Sequence, residues 1–515
     1  MTTLRDALVD GLKALPGART LNLYTLVSNI MRDHELFFYS TNRPKVHVRH
    51  ILVLLSQQDT NTQDAGPVFV CAIEAFLYLI PSTSSSILYV SKVDTTGQGT
   101  LRPNPTSALV QAFLQYYASP TTRPSPNIWI QLFARSQNQY IFPNSAEHSG
   151  KRVLRDMKLC KWWKDMFEKV AQRNDPNWVR LYYLLPGMSS LEALSSLNNS
   201  LLGTSASYPW TYSHPYHQTD VVPPCGGNWL EPDSLSIAQL IPSFNDDPKA
   251  RFLDEIACTR SESTEAIVIP KDFPTSPRPL KRVKTTEVKK VNEGGSSSSN
   301  TQPASAPSSR KSSTNPASPT SQKALAAVPV DEFWERMAFR QECSQGAVTG
   351  FFTAIFYTEQ TSKVHTSTPH YEPALPPDPP GGVSLVVVGR ILGTLSNLDF
   401  GSTDRAVRST NVLEDAIRGL CKAQGASSLQ SEPLTQSPAP QFQFVPSILD
   451  EMAEEPTTTV EEARFERYIY AKLVLDNPPI SGDHLGSGSM GQVKEAEPSV
   501  TILQVRKKKR PVGSS

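Results

Sequence analysis

"VFVCAIEAFLYLI", Val68–Ile80, is an apolar run whose one charged residue is Glu74. Rich in β-branched and apolar side chains, it reads as a buried strand, as does "KVHVRHILVLLSQ", Lys45–Gln57, before it. "SILYVSKVDTTGQG", Ser86–Gly99, reads as a third strand running into a turn. "NPTSALVQAFLQYYAS", Asn104–Ser119, then reads as a helix with Asn104 or Thr106 near its cap. Extended structure returns in "NIWIQLFARSQNQYIFP", Asn127–Pro143, and "LRDMKLCKWWKDMFEKVAQR", Leu154–Arg173, has the apolar and polar faces of a second helix. Strands mixed with helices predict an α/β, or mixed α+β, fold.

The chain of 515 residues is long enough to bury a core and to hold more than one ordinary domain. With 38% hydrophobic residues, 19% charged residues and 43 prolines, a globular part diluted by proline-rich disorder is expected. Composition changes after about Thr259. "PTSPRPLKRVKTTEVKKVNEGGSSSSNTQPASAPSSRKSSTNPASPTSQ", Pro274–Gln322, has almost no large apolar residues to offset the entropy of ordering. "VDEFWERMAFRQECSQGAVTGFFTAIFY", Val330–Tyr357, reads as a helix opened by Asp331, and "PALPPDPPGG", Pro373–Gly382, as a break. "VSLVVVGRILGTLSN" and "NVLEDAIRGLCKAQ" look structured, "SSLQSEPLTQSPAPQ" reads as linker, and "VEEARFERYIYAKLVLDN", Val460–Asn477, as helical. "SVTILQV", Ser499–Val505, reads as a short strand before a basic tail. The expected layout is a first core part over 1–260, a disordered insertion over 261–328, and a second core part over 329–424 with its break near 369–382. A linker over 425–458, a helix and final strand over 459–504, and a tail over 505–515 complete it.

A net charge of +1 gives the whole chain no strong field for nucleic acid or membrane, so basic effects must be local and sequence-specific nucleic-acid binding is not expected. Six dispersed cysteines without a C-x-x-C pair argue against a disulfide scaffold or zinc ribbon and suit a reducing compartment. His214, His217 and Cys225, in "YSHPYHQTDVVPPCGG", are the nearest approach to a metal cluster, and no metal is expected there. "MTTLRDALVDGLKALPG" is amphipathic and carries acids, unlike a secretory signal, and no apolar run reaches membrane-spanning length. The expectation is a soluble intracellular chain.

"LGSGSMGQVKEAE" fits the phosphate-covering pattern of kinases through Gly486, Gly488, Gly491 and Val493, but only Gln492–Ser515 follow, too little for a catalytic domain. It reads as a flexible turn. "RPLKRVKTTEVKK" and "RKKKRP" read as solvated charge, import signals, or contacts for nucleic acid or acidic partners. In "FNDDPKARFLDEI", Phe244–Ile256, Asp247 suits an N-cap and Pro248 the first helical position. The same loop sets two carboxylates beside Lys249. Trp162 and Trp163 are adjacent on a helix, so one ring must point away from the direction in which the other packs.

"YVSKVDTTG", "QYIFPNSAEHSGKRVLRDMKLCKWW", "DDPKARF", "DEFWERMAFRQE" and "SVTILQVRKKKRP" occur in an order that resembles the fungal histone H3 lysine acetyltransferases, relatives of the CREB-binding-protein acetyltransferases. The resemblance covers about 2–260 and 330–511. It implies a central mixed β-sheet surrounded by helices, and acetyl transfer from acetyl-CoA to a histone lysine. Implied partners are histone H3–H4 and histone chaperones, and the implied location is the nucleus, in chromatin assembly and the DNA-damage response. A non-catalytic adaptor that binds histones or a chaperone is the alternative.

The resemblance implies that Asp247 handles the proton or orients the lysine, with Asp246 beside it and Trp163 walling the lysine channel. It implies acetyl-CoA contacts at Val93, Asp94 and Thr95, at Arg102, Pro103, Asn104, Pro105 and Thr106, and at Phe133, Gln137, Arg152, Val153, Leu154 and Trp162. Arg152 stands where the family pattern has a histidine, and Gln137 where a small residue is usual. Lys249 matches a lysine that becomes acetylated by the enzyme itself, which removes its charge.

Overall fold

The computed structural model describes residues 2–59, 66–99, 101–197, 208–227, 235–265, 319–340, 343, 348–358, 375–429 and 460–478. Ten strands form one mixed sheet: β1 Gly17–Val27, β2 Met31–Asp33, β3 Val46–Asp59, β4 Val68–Ile80, β5 Ser85–Thr95, β6 Asn127–Ala134, β7 Val179–Leu184, β8 Trp210–Tyr212, β9 Gly350–Phe356 and β10 Tyr470–Asn477. Their order is β10-β1-β3-β4-β5-β6-β9-β7-β8, with β2 paired to β3. The β5–β6 and β7–β8 pairs are parallel and the others antiparallel.

Helices cover both faces, which explains why the strands carry apolar runs instead of alternating with polar residues. Ile51, Val53 and Leu55 pack with α1 (Leu4–Leu12), α2 (Thr106–Ala118), α3 (Asp156–Ala171) and α4 (Ser190–Leu197) in one cluster. On the opposite face, Ile87, Tyr89 and Trp129 pack with α5 (Ile237–Leu240), α6 (Pro248–Glu265), α7 (Pro319–Ala326) and α8 (Val330–Met337). Leu52, Leu54 and Phe69 pack with α9 (Leu385–Ser396), α10 (Thr403–Leu429) and α11 (Val460–Tyr468). The expected mixed sheet surrounded by helices is therefore the fold observed.

Several expected elements are corrected. The helix opened by Asp331 ends at Met337, and Gly350–Phe356 is β9, inserted between β6 and β7. Phe351 and Ile355 face one core while Phe352, Ala354 and Phe356 face the other, so this apolar run is a doubly buried strand. The segment Val460–Asn477 is helical only to Tyr468. Tyr470–Asn477 forms edge strand β10, with Ala471, Leu473 and Leu475 inward and Lys472 and Val474 exposed. Extended structure after Asn127 ends at Ala134. Helix α10 runs to Leu429, past the expected start of the linker at 425, and α7, with Ala324 and Leu325 buried, stands inside the expected insertion. The glycine-rich turn, the strand Ser499–Val505 and the basic tail lie outside the described residues. No helix among the described residues is long and apolar enough to cross a membrane.

Candidate functional site

The end of β5 is bent by a bulge. Glu74 pairs with Lys92 and Ala75 with Val90, so Ser91 is left over, and Val93, Asp94 and Thr95 lead into a cleft beyond it. Asp94 is buried and organises that cleft. Its Oδ2 accepts hydrogen bonds from the backbone N–H of Tyr140, Ile141 and Phe142 at 2.8, 2.8 and 3.1 Å. Its Oδ1 accepts from the Thr95 amide at 2.8 Å and from Lys151 Nζ at 2.9 Å. Lys151 also donates to Ser145 Oγ at 2.7 Å, and burial lowers its pKa against the pull of Asp94. Asp94 thus ties two stretches of the loop between β6 and α3 to the strand and neutralises the cation nearest to it. Gly97, at φ +78°, lets the crossing loops approach closely, since a Cβ there would lie 2.4 Å from the Lys151 backbone.

The cleft has a volume of about 290 Å³. Of the expected acetyl-CoA contacts, Val93, Asp94, Thr95, Arg102, Asn104, Thr106, Gln137, Arg152, Val153, Leu154 and Trp162 line it, together with Trp163. Asn104 caps α2: its Oδ1 accepts the Thr106 amide at 2.9 Å, leaving the start of that helix at the cleft wall. Trp162 and Trp163 meet edge to face at 4.7 Å, and the Trp162 indole N–H donates to Ser107 Oγ at 3.3 Å. Trp163 is buried and Trp162 half-buried, as adjacent helical positions require, yet both reach the cleft. Arg102 and Arg152 are exposed on its rim, and neither has a carboxylate partner among the described residues. That pair of uncommitted guanidinium groups suits an anionic ligand.

Three expected contacts lie outside the cleft lining. Phe133 stacks on Phe351 at 4.7 Å, Pro103 turns its carbonyl to Arg19, and Pro105 accepts the Leu109 amide in the first turn of α2. None of the three lines the cleft. Sequence reasoning missed Ser107, Ser136, Tyr140, Lys151 and Leu159, which do line it and which only long-range packing brings there.

The Asp246–Lys249 turn sits apart from the cleft lining. Asp247 stands immediately before α6, and its fully buried carboxylate accepts the Lys249 amide at 2.8 Å through Oδ1 and pairs with Lys249 Nζ through Oδ2. Burial pushes the Asp247 carboxyl up from its ordinary value, and the Lys249 charge opposes it. The Lys249 ammonium also lies 4.8 Å from the Phe351 ring centre and 5.6 Å from that of Phe244. The carboxylate expected to handle the proton or orient the lysine is thus engaged by Lys249 in this structure.

Asp246 is the more accessible acid, 30% exposed. It accepts from Ser91 Oγ and lies 3.8 Å from Lys92 Nζ. Lys92 binds Glu74 at 2.6 Å, and Glu74 meets His50 Nε2 at 2.9 Å. Burial works to raise the Glu74 carboxyl, but the bonds and charges of His50 and Lys92 hold it down at about 2.

His214, His217 and Asp331 form a group with metal-ligand composition, in which Asp331 takes the place expected of Cys225. Asp331 Oδ1 lies 2.9 Å from His214 Nε2 and 3.1 Å from His217 Nε2. His214 Nδ1 accepts the Tyr216 amide at 3.2 Å, so Nε2 carries the ring proton and donates it to Asp331. This is the chemistry of a hydrogen-bonded clamp between the β8 loop and α8, and a metal would have to displace that proton.

Residues 104–441 match the family model of the histone acetyltransferase KAT11-type domain. The chain is similar to the histone acetyltransferase rtt109 of Aspergillus flavus, 27% identical over 330 residues, which are 59% of this chain and 47% of that protein. It spans about half of that relative's length. It is also similar to the histone acetyltransferase rtt109 of Schizosaccharomyces pombe, 22% identical over 67% of this chain and 69% of that one. The crystal structure of Rtt109 from Aspergillus fumigatus matches with a TM-score of 0.59 at 22% identity, covering 81% of this chain and 96% of that one. That likeness is one of fold.

Proposed function

From the chain's membership of the KAT11-type histone acetyltransferase family, we propose that it transfers an acetyl group from acetyl-CoA to a lysine of histone H3. The observation that carries this reading is the cleft between the end of β5, the start of α2 and the Trp162–Trp163 pair, with Arg102 and Arg152 uncommitted at its rim. The ligand's phosphates would meet those two cations and the free amides of α2, and its acetyl end would lie toward Trp163.

In the reaction the lysine ammonium first loses a proton, because at a pKa of about 10.4 it is mostly charged at neutral pH. The amine then attacks the thioester carbonyl, the C–N bond forms, the C–S bond breaks, and CoA leaves as its thiol. Asp246 is the accessible carboxylate for the first proton. Asp247 has an acidity already weakened by burial. It becomes a stronger base once acetylation removes the charge of Lys249, which gives self-acetylation at Lys249 a chemical purpose. The substrate would be H3–H4 presented by a histone chaperone, in the nucleus.

The test is transfer of labelled acetyl groups from acetyl-CoA to H3–H4, with and without a histone chaperone, by wild type and Asp247→Asn. Labelling that the chaperone enhances and the substitution abolishes supports the reading. A folded wild-type chain that binds histones but transfers no label would instead make it an adaptor.

A further inference from the structure

Arg19, on β1, has a completely buried side chain. Its Nη1 donates to the Pro103 carbonyl at 3.1 Å, and its Nη2 donates to the carbonyl of Pro16 and, at 3.4 Å, to that of Arg102. Among the described residues its Nε has no acceptor. No carboxylate among the described residues pairs with it, and burial alone lowers its pKa. A buried guanidinium satisfied only by neutral carbonyls is costly, and an apolar side chain of the same size would ordinarily fill such a place in a strand at less cost. Two of the three carbonyls belong to the loop at the mouth of the cleft, where Arg102 and Asn104, on either side of Pro103, line the wall.

We infer that Arg19 is a positioning residue for the anionic end of the ligand. It holds the Arg102–Pro103 backbone in place, and from behind that loop it supplies a positive charge that a ligand phosphate offsets. It touches neither the ligand nor the reacting atoms. The inference rests on the acetyl-CoA reading of the cleft.

The test measures dissociation constants of the full chain for acetyl-CoA and for acetyl-pantetheine, which carries the same thioester without phosphates. Arg19→Met is expected to weaken acetyl-CoA binding about tenfold or more while leaving acetyl-pantetheine within about twofold, and Arg19→Lys is expected to restore most of the loss. Turnover at saturating acetyl-CoA should stay close to that of wild type. Equal weakening of both ligands, or a Lys variant as poor as the Met variant, would reduce Arg19 to a packing role and overturn the inference. If Arg19→Met does not fold, Arg19→Gln, which keeps a donor but no charge, takes its place in the comparison with Arg19→Lys. Asp59 stands opposite Arg19 in the β1–β3 ladder. Asp59→Asn is expected to change neither stability nor affinity, and destabilisation equal to that of Arg19→Met would identify Asp59 as the counter-charge and also sink the proposal. A wild-type chain that fails to bind acetyl-CoA would overturn the cofactor reading itself. One that binds it no better than Arg19→Met would overturn only the role of Arg19.

Discussion

Asp94→Asn isolates the group on which the cleft's geometry depends. Asp94 and Lys151 form an ion pair at 2.9 Å with side chains only 4% and 5% exposed, and the carboxylate accepts four further amide hydrogen bonds. An asparagine can keep its oxygen toward the Tyr140–Phe142 amides, but its NH₂ then confronts the Thr95 amide and the Lys151 ammonium, which is left buried without a counter-charge. Removing one partner of such a pair costs about 3–5 kcal/mol. Urea unfolding of the full chain, followed by tryptophan fluorescence, measures the loss, and acetyl-CoA binding should weaken with it. Adding Lys151→Met removes the stranded charge, so the double variant should recover on the order of 1–3 kcal/mol relative to Asp94→Asn alone. A loss below about 1 kcal/mol, or strictly additive single and double variants, would refute the claim that this pair braces the cleft.

Three further outcomes follow from the same contacts. Glu74 titrates at about 2 when folded against an ordinary 4.5, so its contribution is fully present above pH 4.5 and is lost as pH falls toward 2. That contribution is on the order of 3 kcal/mol, and Glu74→Gln should flatten that limb of the stability-against-pH curve measured by denaturation. Lys249→Met strands the buried Asp247 carboxylate and should cost about 3–5 kcal/mol, whereas Lys249→Gln keeps a donor and should cost clearly less in the same unfolding assay. Trp162→Ala should weaken acetyl-CoA binding by calorimetry with little loss of stability, while Trp163→Ala, which opens the core, should cost about 3–5 kcal/mol.

The sequence made the interior of the fold readable where strands and helices announce themselves by length and composition. The runs around Val53 and Ile73 are too apolar and too β-branched to be anything but buried strands between two helical layers. The reading failed at "GFFTAIF", because a short apolar run fits a buried helix or a doubly covered strand equally, and only the vacancy between β6 and β7 decides. It failed differently at "YAKLVLDN", where the alternation of Ala471, Leu473 and Leu475 with Lys472 and Val474 was visible but followed a helix without a break. In the site, local chemistry was legible: the Asn104 cap, the two tryptophans, and the Asp247–Pro248 helix start. What each acid does was not. Asp94 spends its oxygens on amides some 46 to 48 positions away, and Asp247 spends its own on a lysine two positions on. Both are facts of packing that a linear pattern does not carry.

The place of β10 bears on how the chain is made. Its partner β1 is synthesised first, yet Tyr24 aligns with Tyr470, and Gly17 with Asn477. At about 5–20 residues per second, a ribosome needs on the order of half a minute or more to deliver the second strand after the first. Throughout that interval the backbone hydrogen-bonding groups along one side of β1 have no mate. A nascent chain stalled or truncated before Tyr470 therefore presents an unpaired sheet edge to its neighbours. Such fragments should be removed by proteolysis or held by general folding chaperones, so that only completed chains escape with β1 paired on both sides.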